Sequence, residues 1–181
     1  MFEIVPSKIP GCFQIIFKKL VDNRGAFAKS YHIDEFNKLG IDFKFAEEYF
    51  SSSTKNVFRG MHFQTPPKAI DKLMFCAFGA VTDYVIDIRV GSPTYGQWES
   101  FELNSENPSA VFVPKGLAHG FYTKSDLAIM QCKSSGVYDA PNDKTISYKS
   151  FSFAKEIINP ILSEKDIAAT PFDEFENPFT F

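Results

Sequence analysis

The chain has 181 residues, 44% of them hydrophobic, and a formal net charge of −3 at pH 7. The length predicts a single domain over residues 1–181, and the apolar content excludes wholesale disorder. An acidic chain without a basic run is a poor match for nucleic acid, and no apolar run approaches the ~18 residues of a membrane span, so we expect neither a nucleic-acid nor a membrane partner.

The cysteines and the N-terminal stretch indicate a compartment. Cys12, Cys76 and Cys132 are an odd number without a CxxC pair, which argues against a disulfide framework and against zinc. The stretch MFEIVPSKIP has no basic region followed by an apolar one, so nothing marks it as a signal peptide. We therefore expect a reducing cytoplasm.

The first predicted elements are two strands and a short helix. Residues 12–18 and 26–31 read as strands around the turn VDNRG. Residues 31–41 predict a helix with Asp34 in its first turn and Gly40 as its C-terminal stop.

Short strands dominate the rest of the chain. They are separated by turn residues such as TPPK, GSPTYG, SENPS and PKG. They are predicted near residues 44–52, 57–64, 72–78, 80–89, 98–103, 109–113, 119–123 and 126–133. Many short strands at this spacing predict an all-β sandwich or jelly-roll barrel. After residue 150 the pattern changes, and FAKEIINPILSEKDIAAT predicts one or two short helices over the barrel.

His62 lies in a strand whose alternation separates two faces. In a regular strand His62 and Gln64 share one face, and Met61 and Phe63 share the other. His62 is then either a hydrogen-bonded structural residue or a residue of a ligand-binding barrel interior. The same parity puts Arg59 on the opposite face, so both can serve one site only if the strand bulges or ends near Arg59.

Other polar residues are ordinary when taken singly. His119 lies at a turn-to-strand junction, and Lys72 begins a strand, where a lysine is commonly solvated. Tyr138 opens a proline-containing loop and could be a rim aromatic. Asp166 alone reads as a surface or capping acid, and Arg24 alone reads as a turn residue.

Familiar metal and nucleotide motifs are missing. Two-histidine-plus-carboxylate chemistry usually shows HxH or a comparable cluster, and His62 has no second histidine nearby in sequence. GxSxG, P-loop and GxGxxG patterns are also absent. We expect no metal.

Several segments taken together carry a resemblance. DNRGAF, FRGMHFQTPP, KLMFCAFGAVTDYVIDIR, SPTYGQW, PKGLAHGF and PILSEKD occur in this order between about residues 22 and 167. In combination they closely resemble the dTDP-4-dehydrorhamnose 3,5-epimerase family of cupin-type epimerases. The resemblance implies a cupin-type jelly-roll barrel, a homodimer with strand exchange, no metal or other cofactor, and a nucleotide-diphospho-4-keto sugar as substrate.

The implied chemistry assigns roles to the catalytic candidates. A ketone at C4 acidifies the hydrogens on C3 and C5, so a base, a cation for the enolate and an acid on the opposite face suffice. By the resemblance, His62 is the base and Asp166 is the carboxylate that orients it. Lys72 is the cation near the enolate oxygen.

The resemblance also assigns the substrate-binding candidates. Arg24 and Arg59 match diphosphate contacts, for which a bidentate guanidinium is well suited. His119 matches a residue of the sugar pocket, and Tyr138 matches an aromatic of the nucleotide-sugar pocket.

A first departure from the family is Cys132. Here a cysteine precedes Lys133, where the family has the tyrosine that acts as proton donor. Cys132 could be the acid, Tyr138 or a water could replace it, one epimerisation could be lost, or Cys132 could simply be a small buried residue.

A second departure concerns the nucleotide base. Glu47 stands where the thymidine enzymes commonly have glutamine, and Lys29 replaces their usual glutamate. A carboxylate accepts the adjacent N1–H and N2–H₂ donors of guanine, so the swap favours a GDP-linked sugar, such as a 4-keto heptose or 6-deoxyhexose used in surface polysaccharide or capsule synthesis. The alternative is dTDP-4-dehydrorhamnose itself.

A third departure lies in ISYKSF. Tyr148 and Ser150 replace a tryptophan and an acidic residue of the family. We expect an altered C-terminal cover over the pocket, near the sugar ring.

Three functions compete. The leading hypothesis is an epimerase acting at C3, C5 or both. A ketoisomerase fits RGMHFQ with LSEKD less well. A non-catalytic nucleotide-sugar-binding cupin has only the change to Cys132 in its favour.

Overall fold

Strands form most of the regular structure. The structure of the protein, a computed structural model, describes residues 2–181. In chain order over these residues the strands are β1 (Phe2–Pro6), β2 (Phe13–Phe17), β3 (Lys19–Asp22), β4 (Gly25–Ala28), β5 (Glu47–Thr54), β6 (Phe58–Gln64), β7 (Lys72–Phe78), β8 (Ala80–Asp87), β9 (Trp98–Asn104), β10 (Ser109–Val113), β11 (Leu117–Thr123), β12 (Leu127–Ser134) and β13 (Asp143–Thr145). The aromatic and β-branched runs that predicted strands are strands here, as such side chains pack well on a pleated surface.

The strands form two larger sheets and a separate hairpin. The larger sheet has the order β1-β2-β10-β7-β12-β5, and the smaller sheet has the order β13-β6-β11-β8-β9. The β3–β4 hairpin stands apart from both. From β5 to β8 and from β9 to β13, successive strands alternate between the two sheets, which is jelly-roll connectivity. The predicted all-β jelly-roll class is confirmed.

The two sheets enclose one apolar interior. Met74 and Met130 of the larger sheet pack in the same buried cluster as Val85 and Phe121 of the smaller sheet. Fully burying one such side chain contributes about 1.5–3 kcal/mol relative to leaving it exposed. The two inner faces are therefore held together, and polar side chains that project between them lie in a rigid setting.

The outer face of the larger sheet is covered by the short helix α1 (Ile33–Lys38). Phe36 of this helix is fully buried and packs with Ile15 and Phe75. The helix is shorter than the predicted 31–41. It stops before Gly40, whose φ of +75° lets the chain turn away from the helix direction.

The C-terminal segment covers the outer face of the smaller sheet. The helix α2 (Glu164–Ile167) and short 3₁₀ turns confirm the prediction of short helices after residue 150. The expectation that Tyr148 and its neighbours cover the pocket is wrong. Tyr148 packs against Phe58 with ring centroids 4.7 Å apart, in an aromatic cluster outside the barrel.

Among residues 2–181, neither of the α-helices has the length and apolar character needed to cross a membrane.

Candidate active site

An extra residue in β6 brings Arg59 and His62 to the same side of the strand. Three steps separate Arg59 from His62, whereas two steps separate their partners Phe121 and His119 on β11. This bulge reverses the parity of the strand. Arg59 and His62 therefore line one cavity. The strand bulges near Arg59, as the sequence required if both residues were to serve one site.

Gly60 makes the bulge possible. Its φ is +149°, a conformation that side chains other than glycine rarely adopt. A Cβ at this position would lie 2.5 Å from the Cα of Gly120 on the neighbouring strand. The two glycines thus allow β6 and β11 to approach closely beside the cavity.

His62 is paired with Asp166. The Nε2 atom of His62 lies 2.6 Å from Oδ1 of Asp166, and Ser163 donates to the other carboxylate oxygen at 2.8 Å. The Asp166 side chain is 2% exposed and that of His62 is 30% exposed. Since Nε2–H donates to the carboxylate, Nδ1 is left as the nitrogen with a free lone pair.

The two partners perturb each other's pKa. Burial lowers the pKa of His62, and the hydrogen bond to Asp166 opposes this shift. Burial would raise the pKa of Asp166, but the hydrogen bonds from His62 and Ser163 outweigh it and hold the pKa below its usual value. Asp166 is therefore ionised at neutral pH, and His62 is neutral and able to accept a proton.

Two adjoining cavities meet at His62. We call them the outer cavity, of about 370 Å³, and the inner cavity, of about 210 Å³. Glu47, Gln64 and Tyr138 line the outer cavity, whereas Arg59, His119 and Cys132 line the inner one. Tyr49, His62 and Lys72 line both. Chemistry at His62 therefore takes place at the junction of the two spaces.

Lys72 faces the cavities instead of solvent. Its Nζ donates to the backbone carbonyl of His62 at 3.4 Å, and burial lowers its pKa. An ammonium beside the base can stabilise negative charge that develops on a substrate oxygen.

A second histidine–carboxylate pair lies deeper. The Nε2 atom of His119 is 2.6 Å from Oδ2 of Asp83, and both side chains are buried. Burial raises the pKa of Asp83, and the charge and hydrogen bond of His119 oppose this. His119 also lies directly across the ladder from His62. The structure thus brings His119 into the same cavity as His62.

Cys132 lies on the opposite wall from His62. It projects from β12 of the larger sheet, whereas His62 projects from β6 of the smaller one. The Cys132 side chain is buried, and burial raises the pKa of its thiol. The thiol is therefore protonated at neutral pH.

Glu47 and Tyr138 lie at the mouth of the outer cavity. Oε2 of Glu47 accepts a hydrogen bond from the backbone N–H of Tyr138 at 2.9 Å. The Tyr138 side chain itself is exposed. One carboxylate oxygen of Glu47 thus holds the loop that carries Tyr138.

Two predicted binding residues are not brought to the site within this chain. Arg24 lies on the β3–β4 hairpin, where it is paired with Asp22, and it lines a separate surface cavity of that hairpin. Lys29 follows β4 and lies outside the lining of both the outer and the inner cavity. The expected contacts of these two residues with a substrate are therefore not formed by a single copy.

Sequence reasoning missed Tyr49 and Asp83. Tyr49 lies in AEEYFSSS two residues after Glu47, so strand alternation puts both on one face. Because Glu47 was already a candidate, this alternation could have identified Tyr49 as a residue of the same site. Asp83 had no comparable signal, since its partner His119 lies 36 positions away.

Comparison with known proteins identifies relatives along almost the whole chain. A family described as dTDP-4-dehydrorhamnose 3,5-epimerase matches residues 6–174. A dTDP-4-dehydrorhamnose 3,5-epimerase of Shigella flexneri is 36% identical over 173 residues, which cover 94% of this chain and 96% of that protein. A dTDP-4-dehydrorhamnose 3-epimerase of Streptomyces niveus is 41% identical over 135 residues, which cover 74% of this chain and 65% of that protein.

A solved structure has the same architecture. The dTDP-6-deoxy-D-glucose-3,5-epimerase of Legionella pneumophila, solved in complex with dTDP-4-keto-L-rhamnose, superposes with a TM-score of 0.88 at 33% identity and covers 97% of this chain and 95% of that one. The substrates in these names carry dTDP. The comparisons therefore favour the thymidine alternative, and the guanine preference inferred from Glu47 finds no support in them.

Proposed function

The chain belongs to the dTDP-4-dehydrorhamnose 3,5-epimerase family and is an isomerase of the epimerase type, and from this premise we propose its substrate and mechanism. The substrate is a dTDP-linked 4-keto-6-deoxy sugar, as in dTDP-4-dehydrorhamnose synthesis. The reaction inverts C3, C5 or both through an enolate, with no redox change.

The observation that carries this proposal is the His62–Asp166 pair facing Lys72 at the cavity junction. Nδ1 of neutral His62 removes the proton from the carbon next to the ketone, because Nε2 is committed to Asp166. The electron pair moves onto the ketone oxygen, where Lys72 stabilises the enolate. Return of a proton to the opposite face gives the epimer.

The inner cavity supplies further polar contacts. Arg59 donates from Nε to the Ser53 hydroxyl at 3.0 Å and from Nη2 to the Ser52 backbone carbonyl at 3.2 Å, and its remaining N–H groups are available to a diphosphate oxygen. His119, held by Asp83, is positioned to contact a sugar hydroxyl. These two roles follow the family resemblance and the shared lining of the inner cavity.

A homodimer would complete the site. The β3–β4 hairpin carries Arg24 together with solvent-exposed apolar side chains, with Val21 72% and Phe27 60% exposed. An isolated hairpin of this kind is marginal in water and gains stability by packing against another surface. We infer that it packs on a second copy and delivers Arg24 to that copy's diphosphate.

Solvent exchange tests the function. The protein is incubated in D₂O with dTDP-4-keto-6-deoxyglucose, and deuterium at C3 and C5 is counted by mass spectrometry and NMR. We expect labelling at one or both carbons, and loss of labelling in His62→Asn. His32→Asn, which changes a histidine at the start of α1, is the matched control and should label normally.

The result separates the alternatives. Two deuterium atoms indicate a double epimerase, and one at C3 indicates a 3-epimerase. Absence of labelling with this sugar, in a protein that binds dTDP, would refute catalysis on it and favour a binding role. A parallel incubation with GDP-linked 4-keto sugars tests the guanine alternative.

A further inference from the structure

The side chain of Cys132 leaves space in the inner cavity. The family resemblance places a phenol at this position as the proton donor, whereas a cysteine ends at Sγ. Cys132 is 1% exposed and belongs to the buried cluster between the sheets. A donor that reaches the junction where His62 lies must therefore come from a neighbouring position.

The strand register supplies such a position. Cys132 on β12 is directly opposite Tyr49 on β5. Side chains directly opposite each other in an antiparallel pair project from the same face, with Cβ atoms about 4.5–5.5 Å apart. Tyr49 thus rises beside Cys132 into the barrel, while Phe50, the next residue, is on the other face and is 73% exposed. In this chain the tyrosine therefore lies on β5, one strand away from the position on β12 where the family has it.

Tyr49 faces the base. It lines both the outer and the inner cavity, as His62 and Lys72 do. Tyr49 belongs to the larger sheet and His62 to the smaller one, so the phenol and the imidazole project from opposite walls. Inversion at a carbon requires removal of a proton from one face and delivery to the other, and this arrangement provides both.

The phenol carries its proton at neutral pH. Burial raises the pKa of Tyr49, and the neighbouring Cys132 and Glu47 raise it further. Burial raises the pKa of the Cys132 thiol, and the charge of Lys72 and the hydroxyl of Tyr49 oppose this rise. The thiol can in turn support the phenolate left behind after proton transfer.

The alternative donors fit less well. Tyr138 lines the outer cavity but not the inner one, and its side chain is 62% exposed, compared with 46% for Tyr49. Its backbone N–H donates to Glu47, another residue that lines the outer cavity and not the inner one. The Cys132 side chain is 1% exposed and lines only the inner cavity, whereas Tyr49 lines both cavities.

We propose that Tyr49 is the catalytic general acid of this epimerase and that Cys132 is a positioning residue for its hydroxyl. This assignment rests on the proposed epimerase function. The C–H bond to the carbon next to the ketone breaks as His62 takes the proton, and the electron pair moves to the ketone oxygen. The Tyr49 O–H bond then breaks and a new C–H bond forms on the opposite face, as the electron pair returns to carbon. The phenolate regains a proton from solvent and His62 loses one, so the net change is inversion alone.

Tyr49→Phe separates the two proton transfers. With dTDP-4-keto-6-deoxyglucose in D₂O, we expect inversion to fall by about 10²–10⁴-fold, the usual contribution of a general acid. Deuterium should still enter with retention of configuration, because His62 can return a solvent-derived proton to the same face. Tyr95→Phe, which removes a hydroxyl outside both cavities, is the matched control and should match the wild type.

Two further variants distinguish the phenol from the thiol. Cys132→Ala should reduce inversion by less than tenfold. The exchange variant Tyr49→Cys with Cys132→Tyr keeps the combined volume of the pair and returns the phenol to β12. It should invert at least tenfold faster than Tyr49→Phe, which a purely structural role for Tyr49 would not produce. Thermal melting identifies any variant that fails to fold. If Tyr49→Phe or Cys132→Ala fails to fold, the inversion rate of the exchange variant tests the role of the phenol.

The outcomes are separable. Inversion by Tyr49→Phe within threefold of the wild type would overturn the assignment, as would a folded exchange variant no faster than Tyr49→Phe. A deficit of more than 100-fold in Cys132→Ala, with Tyr49→Phe active, would make the thiol the acid. A wild type that labels no 4-keto sugar would overturn the proposed function and this assignment together, whereas labelling that depends on His62 but not on Tyr49 would overturn only the assignment.

Discussion

His62 and Asp166 are 104 positions apart in the chain, yet Nε2 of the histidine lies 2.6 Å from Oδ1 of the aspartate. The contact is made because the C-terminal segment returns to the edge of the smaller sheet, where Val57 bridges to Ile161 just before α2. The carboxylate is buried and is held by Ser163 as well. The orientation of the imidazole is thus fixed by a segment that follows all the barrel strands in the sequence.

Asp166→Asn should therefore lower kcat more than it changes KM. The amide keeps the size of the carboxylate, but it neither stabilises the imidazolium nor fixes the tautomer. We expect kcat to fall by about 10²–10⁴-fold. Steady-state kinetics check this, and Asp173→Asn, in the C-terminal segment away from the site, is the control. Activity near that of the wild type would show that the pair is structural.

The pH profile should have an acidic limb below the ordinary histidine range. The base must be neutral, so activity is present above the folded-state pKa of His62 and is lost as the pH falls through it. Burial lowers that pKa, so half-maximal kcat/KM should lie below the ~6.5 of a free histidine. Because Asp166 opposes the shift, Asp166→Asn should move the limb to still lower pH. A limb above about pH 6.5 would contradict the assignment of His62 as the buried base.

Gly60→Ala should destabilise the fold and the site together. The added Cβ would meet the Cα of Gly120 at 2.5 Å, and the φ of +149° is unfavourable for alanine. A loss of about 2–4 kcal/mol in the free energy of unfolding is expected. Gly40→Ala is the control, since φ is also positive at Gly40 but nothing lies within 4 Å of the added atom, and it should cost about 1–2 kcal/mol. Urea denaturation measures both, and equal losses would show that the close approach of β6 and β11 is not costly to disturb.

The nucleotide preference should be for dTDP over GDP. Titration calorimetry with the two free nucleotides checks this, and we expect dTDP to bind at least about tenfold tighter, a difference of about 1.4 kcal/mol. Glu47→Gln should change both affinities by little, because a glutamine can still accept the hydrogen bond from the Tyr138 N–H. Tighter binding of GDP that is lost in Glu47→Gln would restore the guanine hypothesis.

The hairpin should control the oligomeric state. By light scattering the protein is expected at twice the chain mass of 20.5 kDa, and Phe27→Asp should shift it toward the monomer, because a charge on this 60% exposed ring would not pack. Arg24→Gln should leave the dimer intact and raise KM, since it removes only a diphosphate contact. A wild-type monomer with full activity would remove Arg24 from the site.

The sequence carried most of the fold and much of the site, for identifiable reasons. Strand alternation and turn residues are local signals, so they predicted the jelly roll and the face of His62. Arg59 could be placed only conditionally, because the bulge that turns it depends on contacts between β6 and β11. Tyr49 was missed because its relation to Cys132 depends on the register of β5 and β12, which are separated by most of the barrel sequence. The guanine preference inferred from Glu47 finds no support in the comparisons, and the hydrogen bond of Glu47 to the loop cannot be seen in the sequence.

The bulge in β6 lets Arg59 and His62, which are three residues apart, point into the same cavity. Phe58, Met61 and Phe63 pack outside the barrel, while the side chains of Arg59 and His62 between them point inward. Without the bulge, the three steps from Arg59 to His62 would place the two side chains on opposite faces, and one of them would enter the aromatic layer. The site therefore depends on the bulge, which the positive φ of Gly60 allows, as well as on the two side chains. Side chains alternate between the two faces of a regular strand, and the extra residue of the bulge shifts this alternation once, between Arg59 and His62.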